Sequence, residues 1–448
     1  MKKFFAFLLL SALSLTLVSC STNPPIQGNI TETSVTESHS ETDTQPPDDL
    51  KPTSNEELIE YVILKWQQNK VADLYDYADE VLTSLTDRDN FAYIFESISA
   101  TGGALNECVN KTATVSEQTV TYRLTLDFDN ISADISVSIK DMNICALTKS
   151  INFKNEFEID RGNEITEKYF VLENDGCRLN AVYTYVNDGN AHPAVLLIGG
   201  SGPCDYNETV GILTPFEDIA MGLAKSGINS LRVDKRTLGY ASAFTEKSGI
   251  AEEYLSDCNA AIGYLKAQNN NGIYLFGHSL GGQIATELAA KNSEIAGLII
   301  FNSSARHLAD IACDQYIRLD PQNASAYRAY ADAAKAVNPD VAKGLYYYNA
   351  SDYYWASYNS IDTAKNIADA GIGTLIINSR NDKQSFDADI ELWQTLFGNT
   401  DNISIRVYDD ISHFGYRFDT SDVSSLYRRS DFPSELISVF SDFIKGKQ

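Results

Sequence analysis

A doubly wound, mostly parallel α/β sheet with a helical insertion, preceded by a small α+β domain, is the architecture that this 448-residue sequence predicts. From about Ile165 onward, short apolar runs alternate with amphipathic helical stretches, as strands and crossover helices do in a parallel sheet. Upstream the order differs: helical pieces come first and alternating strands follow, as in an α+β unit. The run over 273–276 passes directly into Gly277-His278-Ser279-Leu280-Gly281 and then into helix, a junction of strand, sharp turn and helix.

Residues 1–20 read as a leader outside the fold. Lys2 and Lys3 supply a positive start, 4–18 form an apolar run too short to span a membrane, and the segment closes on Leu17-Val18-Ser19-Cys20. This resembles a bacterial lipobox, which implies cleavage before Cys20, lipid on that cysteine, and a protein held at the membrane outside the cytoplasm. An ordinary secretory signal would give the same compartment. Residues 21–54, rich in Ser, Thr, Pro, Asp and Glu, bury too little to offset chain entropy and read as a disordered tether containing His39.

The small α+β domain spans 55–157. Leu58, Ile59, Val62, Ile63 and Trp66 recur at helical spacing, and further helical pieces continue to about 97. After Thr101-Gly102-Gly103, the runs 112–115, 120–128 and 133–139 alternate apolar and polar residues, as half-buried antiparallel strands do.

Across 165–448 the elements follow in order. The runs 165–172 and 178–186 form an antiparallel pair around Asn174-Asp175-Gly176. The run 194–198 is continuously apolar, as a buried parallel strand is. Then come helix 216–225, strand 228–233, helix 251–268, strand 273–276, helix 283–291 and strand 295–301. After an insertion over about 305–365, strand 374–378, helix 388–397, strand 403–408 and helix 433–445 complete the pattern.

Composition narrows the function. Hydrophobic residues make up 44% and charged residues 21%, as in a globular protein, and the net charge of −26 argues against a nucleic-acid partner. Apart from Cys20, the six cysteines (Cys108, Cys145, Cys177, Cys204, Cys258, Cys313) have long, irregular spacings, which argues against zinc and for free thiols.

Gly277-His278-Ser279-Leu280-Gly281-Gly282 resembles the nucleophile elbow of the α/β-hydrolase superfamily, in which Ser279 projects its hydroxyl above the sheet from a strained turn. The resemblance covers about 165–448, makes 305–365 a cap, and implies a Ser-His-Asp hydrolase needing neither metal nor organic cofactor. With His39 in the tether, His192 at the wrong end of its strand and His278 inside the elbow, His307 and His413 remain as bases. The superfamily's chain order favours His413. The same resemblance places the acid at Asp382, with Asp387 and Asp389 as rivals. It places one oxyanion donor at the Leu280 N–H and the other in Gly199-Gly200-Ser201-Gly202-Pro203, at Ser201 with Gly200 as alternative. That loop lacks the G-K-[ST] of a phosphate cradle.

The glycine loop together with Leu231-Arg232-Val233-Asp234-Lys235-Arg236-Thr237 resembles secreted bacterial esterases and acyl hydrolases of the dienelactone-hydrolase and serine-aminopeptidase groups. Asp234 and Arg236 are expected to form an ion pair supporting the oxyanion loop. The 55–157 segment resembles a domain that often precedes such enzymes; a binding or spacing role is expected, and deleting it should leave small-ester turnover intact. The cap's tyrosines suit either a pocket wall stacking on a sugar or phenolic group, or ordinary packing. The expected activity is hydrolysis of carboxylic esters, acylated carbohydrates or small acyl esters. A peptidase of the same fold and a surface binding protein with a vestigial hydrolase domain are the alternatives.

Overall fold

A computed structural model describes residues 51–447. The leader, Cys20 and the tether as far as residue 50 lie outside the described residues.

Helices Asn55–Gln67 and Arg88–Gly102 pack on a four-stranded antiparallel sheet of β1 (Leu105–Ser116), β2 (Thr119–Phe128), β3 (Ile131–Lys140) and β4 (Asn143–Phe153), in the order β1-β2-β3-β4. Alternation decides which face is inside: Tyr122, Leu124, Leu126 and Phe128 on β2, and Ile131, Ala133, Ile135, Val137 and Ile139 on β3, are buried with Leu58, Trp66, Phe91 and Phe95. Ser54 and Asp87 cap the two helices through their side chains.

The second sheet begins at β5 (Phe157–Gly162), β6 (Ile165–Asn174) and β7 (Cys177–Val186), all antiparallel. The β6–β7 turn places Asp175 and Gly176 both at positive φ, 49° and 77°, as an Asp-Gly hairpin turn requires. Next come β8 (His192–Ile198), β9 (Asn229–Val233), β10 (Asn270–His278) and β11 (Ile295–Phe301). The cap follows, with helices Leu308–Leu319, Ala324–Ala336 and Asp352–Tyr358 and a small ribbon of β12 (Tyr346–Tyr347) and β13 (Ala350–Ser351). β14 (Gly373–Ser379) and β15 (Ile403–Tyr408) close the sheet. Its nine strands run β15-β14-β11-β10-β8-β9-β7-β6-β5, and those from β15 to β9 are parallel.

Period-2 alternation splits the central strands between two cores. Leu196, Ile198 and Leu275 face helices Ser256–Ala267 and Leu280–Lys291, whereas Val195, Leu197 and Phe276 face helices Pro215–Lys225 and Ser434–Ile444. Both faces being covered is why these strands read as unbroken apolar runs.

The two strands that alternation missed, β4 and β5, each lie at a sheet edge. Their burial is sparse, with Ile144 and Phe153 the fully buried apolar positions of β4 and none on β5, so little period-2 signal reaches the sequence. The two sheets also share a core. Phe153 packs with Tyr169 and Tyr206, and the Asn180 side chain accepts from the Phe153 N–H at 3.0 Å and donates to the Ile151 carbonyl at 2.7 Å. A cut at residue 157 therefore falls at the first residue of β5 and strips cover from Tyr169, Val182 and Tyr206.

Candidate active site

Four loops meet at the carboxyl edge of the parallel strands, after β8, β10, β14 and β15, where open α/β sheets place their sites. Ser279 follows β10 with φ 54° and ψ −125°, a strained conformation for a residue with a Cβ. The glycines around it are sterically required. A Cβ on Gly277 would meet the Gly281 carbonyl oxygen at 2.3 Å, and one on Gly281 would meet the Ile198 carbonyl oxygen at 2.2 Å.

His413 and Asp382 come together: His413 Nδ1 lies 2.6 Å from Asp382 Oδ2. Burial alone would raise the Asp382 carboxyl, but the facing His413 and the Gln384 N–H, which donates to Oδ1 at 2.6 Å, hold it below the usual carboxylate range. With Nδ1 engaged, the imidazole is oriented and Nε2 is left for chemistry. Ser279, Leu280, Ser201 and His413 line one cavity.

The rival residues are occupied elsewhere. Asp389 accepts from Ser304 Oγ, Arg306 Nε and the Phe386 N–H, and Asp387 is exposed near Arg380. His307 caps helix Leu308–Leu319, bonds Asn359 and packs on Tyr358. His192 bridges Asp188 and the Gly227 carbonyl.

The glycine-rich loop is clamped from both sides. The Gly200 N–H donates to Glu208 Oε1 at 2.6 Å, which removes it from competition as an oxyanion donor. The Gly200 carbonyl accepts from Lys235 Nζ at 3.1 Å and from the Tyr254 hydroxyl. That carbonyl and the Ser201 N–H belong to one planar trans peptide and point in opposite directions. Fixing one therefore fixes the other. A Cβ on Gly200 would stand 3.1 Å from Ser279 Cβ, so the loop crosses directly beside the candidate nucleophile.

The expected ion pair between Asp234 and Arg236 does not form. Arg236 pairs with Asp257 at 2.6 Å, while Asp234 accepts from the Tyr206 N–H and Asn180, and burial beside Asp205 pushes its carboxyl well up. Asp234, Lys235 and Arg236 leave β9 on divergent bearings, so the residue between them, Lys235, reaches the glycine-rich loop. It is neutralised there by Glu253 at 2.5 Å.

Sequence reasoning also left His278 without a task. Its Nδ1 lies 2.8 Å from Glu208 Oε1 and its Nε2 lies 2.9 Å from the His413 carbonyl oxygen. Both partners are acceptors, so the ring carries both protons. Burial pulls it down, and the Glu208 carboxylate more than reverses this, raising it above the ordinary histidine value. Asn302 Nδ2 donates to the same His413 carbonyl at 2.8 Å. Glu208 thus joins the glycine loop, the elbow and the His413 loop. Only its partners mark it; nothing in the segment Asn207-Glu208-Thr209 points to a role at this site.

The cap's tyrosines pack largely on each other and on Trp355: Tyr316 on Tyr327 and Tyr348, and Tyr358 on Trp355. The cap's contribution to the cavity wall includes Leu308, Ile311, Ala312 and Gln315. Among the described residues all six cysteines are free, and burial pushes Cys258 up to about 12.

Sheet order, elbow and converging loops are those of the α/β-hydrolase fold. Residues 207–335 match the family described as serine aminopeptidase, S33. The chain is 28% identical over 304 residues to esterase EstD of Thermotoga maritima, covering 65% of this chain and 71% of that protein. Among solved structures it is similar to Est1E from Butyrivibrio proteoclasticus with bound ferulic acid, at a TM-score of 0.42, 16% identity and coverage of 62% and 98% of the two chains. A Pyrococcus furiosus esterase gives a TM-score of 0.41, 16% identity and coverage of 66% and 98%.

Proposed function

We propose that the protein is a carboxylic ester hydrolase working through an acyl-enzyme. Ser279 attacks the acyl carbon, His413 takes its proton and returns it to the leaving alcohol, and Asp382 holds His413 in the required tautomer. The Leu280 and Ser201 N–H groups receive the oxyanion, each worth about 3 kcal/mol in the transition state. The observation that carries this reading is the 2.6 Å contact between His413 and Asp382, with His413 and Ser279 on one cavity wall. The esterase relative supports the substrate class. A small acyl ester fits better than an acylated carbohydrate, because the cap's tyrosines pack largely among themselves.

A Ser279→Ala variant should lose p-nitrophenyl acetate turnover and fluorophosphonate labelling together while keeping its fold. Labelling of folded Ser279→Ala, or folded wild type that resists the probe, would refute the assignment.

The matched family's description favours peptidase activity as a second reading. An aminopeptidase needs a carboxylate for the substrate's ammonium group, and Asp389 at the cavity wall is already bonded to Arg306, Ser304 and the Phe386 backbone. A panel of aminoacyl anilides against matched esters decides between them, with ester cleavage expected to dominate.

Lipid on Cys20, an extracytoplasmic location, the tether over 21–54 and a spacing role for 55–157 belong to the same reading. Labelled palmitate should enter the wild-type chain in cells and not Cys20→Ala.

A further inference from the structure

The space beside Ser279 divides into two adjoining cavities, or lobes, of very different size, of which only the smaller is lined by Ser279. The smaller, about 50 Å³, is lined by Ser201, Ser279, Leu280, Gln283, Leu308 and Ala312. The larger, about 400 Å³, is walled by Leu319, Phe414, Phe418, Val423 and Leu426. His413, Gln315 and Gln384 border both. A water-sized group occupies roughly 10–15 Å³ of such space, so the smaller lobe holds only a few heavy atoms.

The chemistry assigns the lobes. In an acyl transfer the Ser279 Oγ–acyl bond forms as the acyl C–OR′ bond breaks, and the serine proton passes through His413 to the departing R′O oxygen. Water then releases the acid. The leaving oxygen must therefore face His413 while the carbonyl oxygen faces Leu280 and Ser201. Ser201, Ser279 and Leu280 line only the smaller lobe, which assigns the acyl group there; the larger lobe borders His413 without touching Ser279, which assigns it to the leaving group. Resting on the ester-hydrolase reading above, we infer that the substrate is an ester of a short-chain acid, of two to four carbons, with a bulky apolar alcohol seated between Phe414, Phe418, Val423 and Leu426.

A pair of isomers with the ester reversed tests this directly: 2-phenylethyl acetate and ethyl phenylacetate contain the same atoms and differ in which side carries the ring. The wild-type protein should hydrolyse 2-phenylethyl acetate with a kcat/KM about tenfold to a hundredfold higher, the range expected from burying one phenyl ring. Val423→Trp, which fills the larger lobe, should bring that ratio towards one; because it is a ratio, a general loss of activity cancels. If that variant does not fold, Phe418→Ala, which removes one wall, should lower the ratio as well. Equal rates for the two isomers, a preference for ethyl phenylacetate, or a ratio unmoved by both substitutions overturns the assignment. Should ethyl acetate and p-nitrophenyl acetate also resist the folded wild-type protein, the ester-hydrolase reading itself fails and this inference falls with it.

Discussion

The two sheets differ in what they bury. Between β1 and β4 the interior is almost wholly aliphatic and aromatic, with Leu126, Phe128, Ile131 and Val137 fully enclosed against Trp66 and Phe95, and its one buried charge among the described residues, Lys65, pairs outward with the half-exposed Asp73. The nine-stranded sheet encloses charge as well: Glu167 with Arg232, Lys235 with Glu253, Glu208 with His278, and the Asp382 carboxylate, which faces the His413 ring. An interior that only has to exclude water needs pattern and volume. A site that has to hold loops at fixed separations uses paired charges, because each buried ion commits its partner to one position and losing either leaves an uncompensated charge.

The largest break in this comparison comes at His413, the proposed base. Asp382→Asn keeps volume and loses the charge that sets the His413 tautomer, so kcat for p-nitrophenyl acetate should fall roughly 10³- to 10⁴-fold. Asp387→Asn, on an exposed carboxylate, should leave kcat unchanged. Equal effects from the two substitutions would show that the 2.6 Å contact has no catalytic meaning.

Next in size is Glu208→Gln, which keeps a side chain able to accept one bond but removes the counter-charge of His278. Loosening three loops at once should lower kcat by about 10²-fold, the scale of a misplacement near 1 Å. The pH profile sharpens the test. Glu208 and Asp382 are the carboxylates acting on the His278 ring, with the His413 ring tilted against it at 4.6 Å and Phe301 and Phe414 beside it. A raised folded-state value means that the stabilisation is complete below the unfolded histidine value, about 6.5, and is lost as pH rises through the folded one. Without the carboxylate that loss begins at lower pH, so the alkaline limbs of both kcat/KM and thermal stability should move down. Unmoved limbs would make the Glu208–His278 pair mere packing.

The apolar sheet gives the opposite signature. Leu126→Ala, at a position with no exposure, should cost about 2–5 kcal/mol of unfolding free energy in urea titration. At a temperature where the variant is folded, its kcat should equal that of the wild type. A drop in kcat would reveal coupling through the shared core at Phe153, Tyr169 and Tyr206.

The smallest expected effect is at Asp218, whose carboxyl is pushed up to about 6 by burial and accepts from the Tyr416 hydroxyl at 2.6 Å. With the folded value above the unfolded one, stability present at low pH is lost as pH rises through about 6. Asp218→Asn escapes that loss. It should be more stable than wild type by about 1 kcal/mol near pH 8, with the gain shrinking toward pH 4, as thermal melts across that range would reveal.

The superfamily fold was legible in the order of apolar runs and in one turn. Gly277, Ser279 and Gly281 announce the elbow because the backbone there permits almost nothing else, and strands covered on both faces announce themselves by unbroken apolarity. Edge strands β4 and β5 escaped because a strand with few buried positions leaves little period to detect. His413 and Asp382 could be nominated because each follows a recognisable strand. Glu208, Lys235 and Tyr254 could not, since nothing local distinguishes a charge that will be buried and paired from one left in solvent.

The sequence by itself determined the order of elements, the strained serine and the small set of histidines and carboxylates that could serve it, since local sterics and periodicity are written along the chain. Only the tertiary structure decided which charges meet: that Lys235 rather than Arg236 steadies the Gly200 carbonyl, that His278 holds the loop of His413, and that the cavity opens widest beyond that histidine. The reason is physical: an ion pair or a cavity wall is made by residues far apart in sequence, and its energy depends on a burial that exists only once the chain has closed around it.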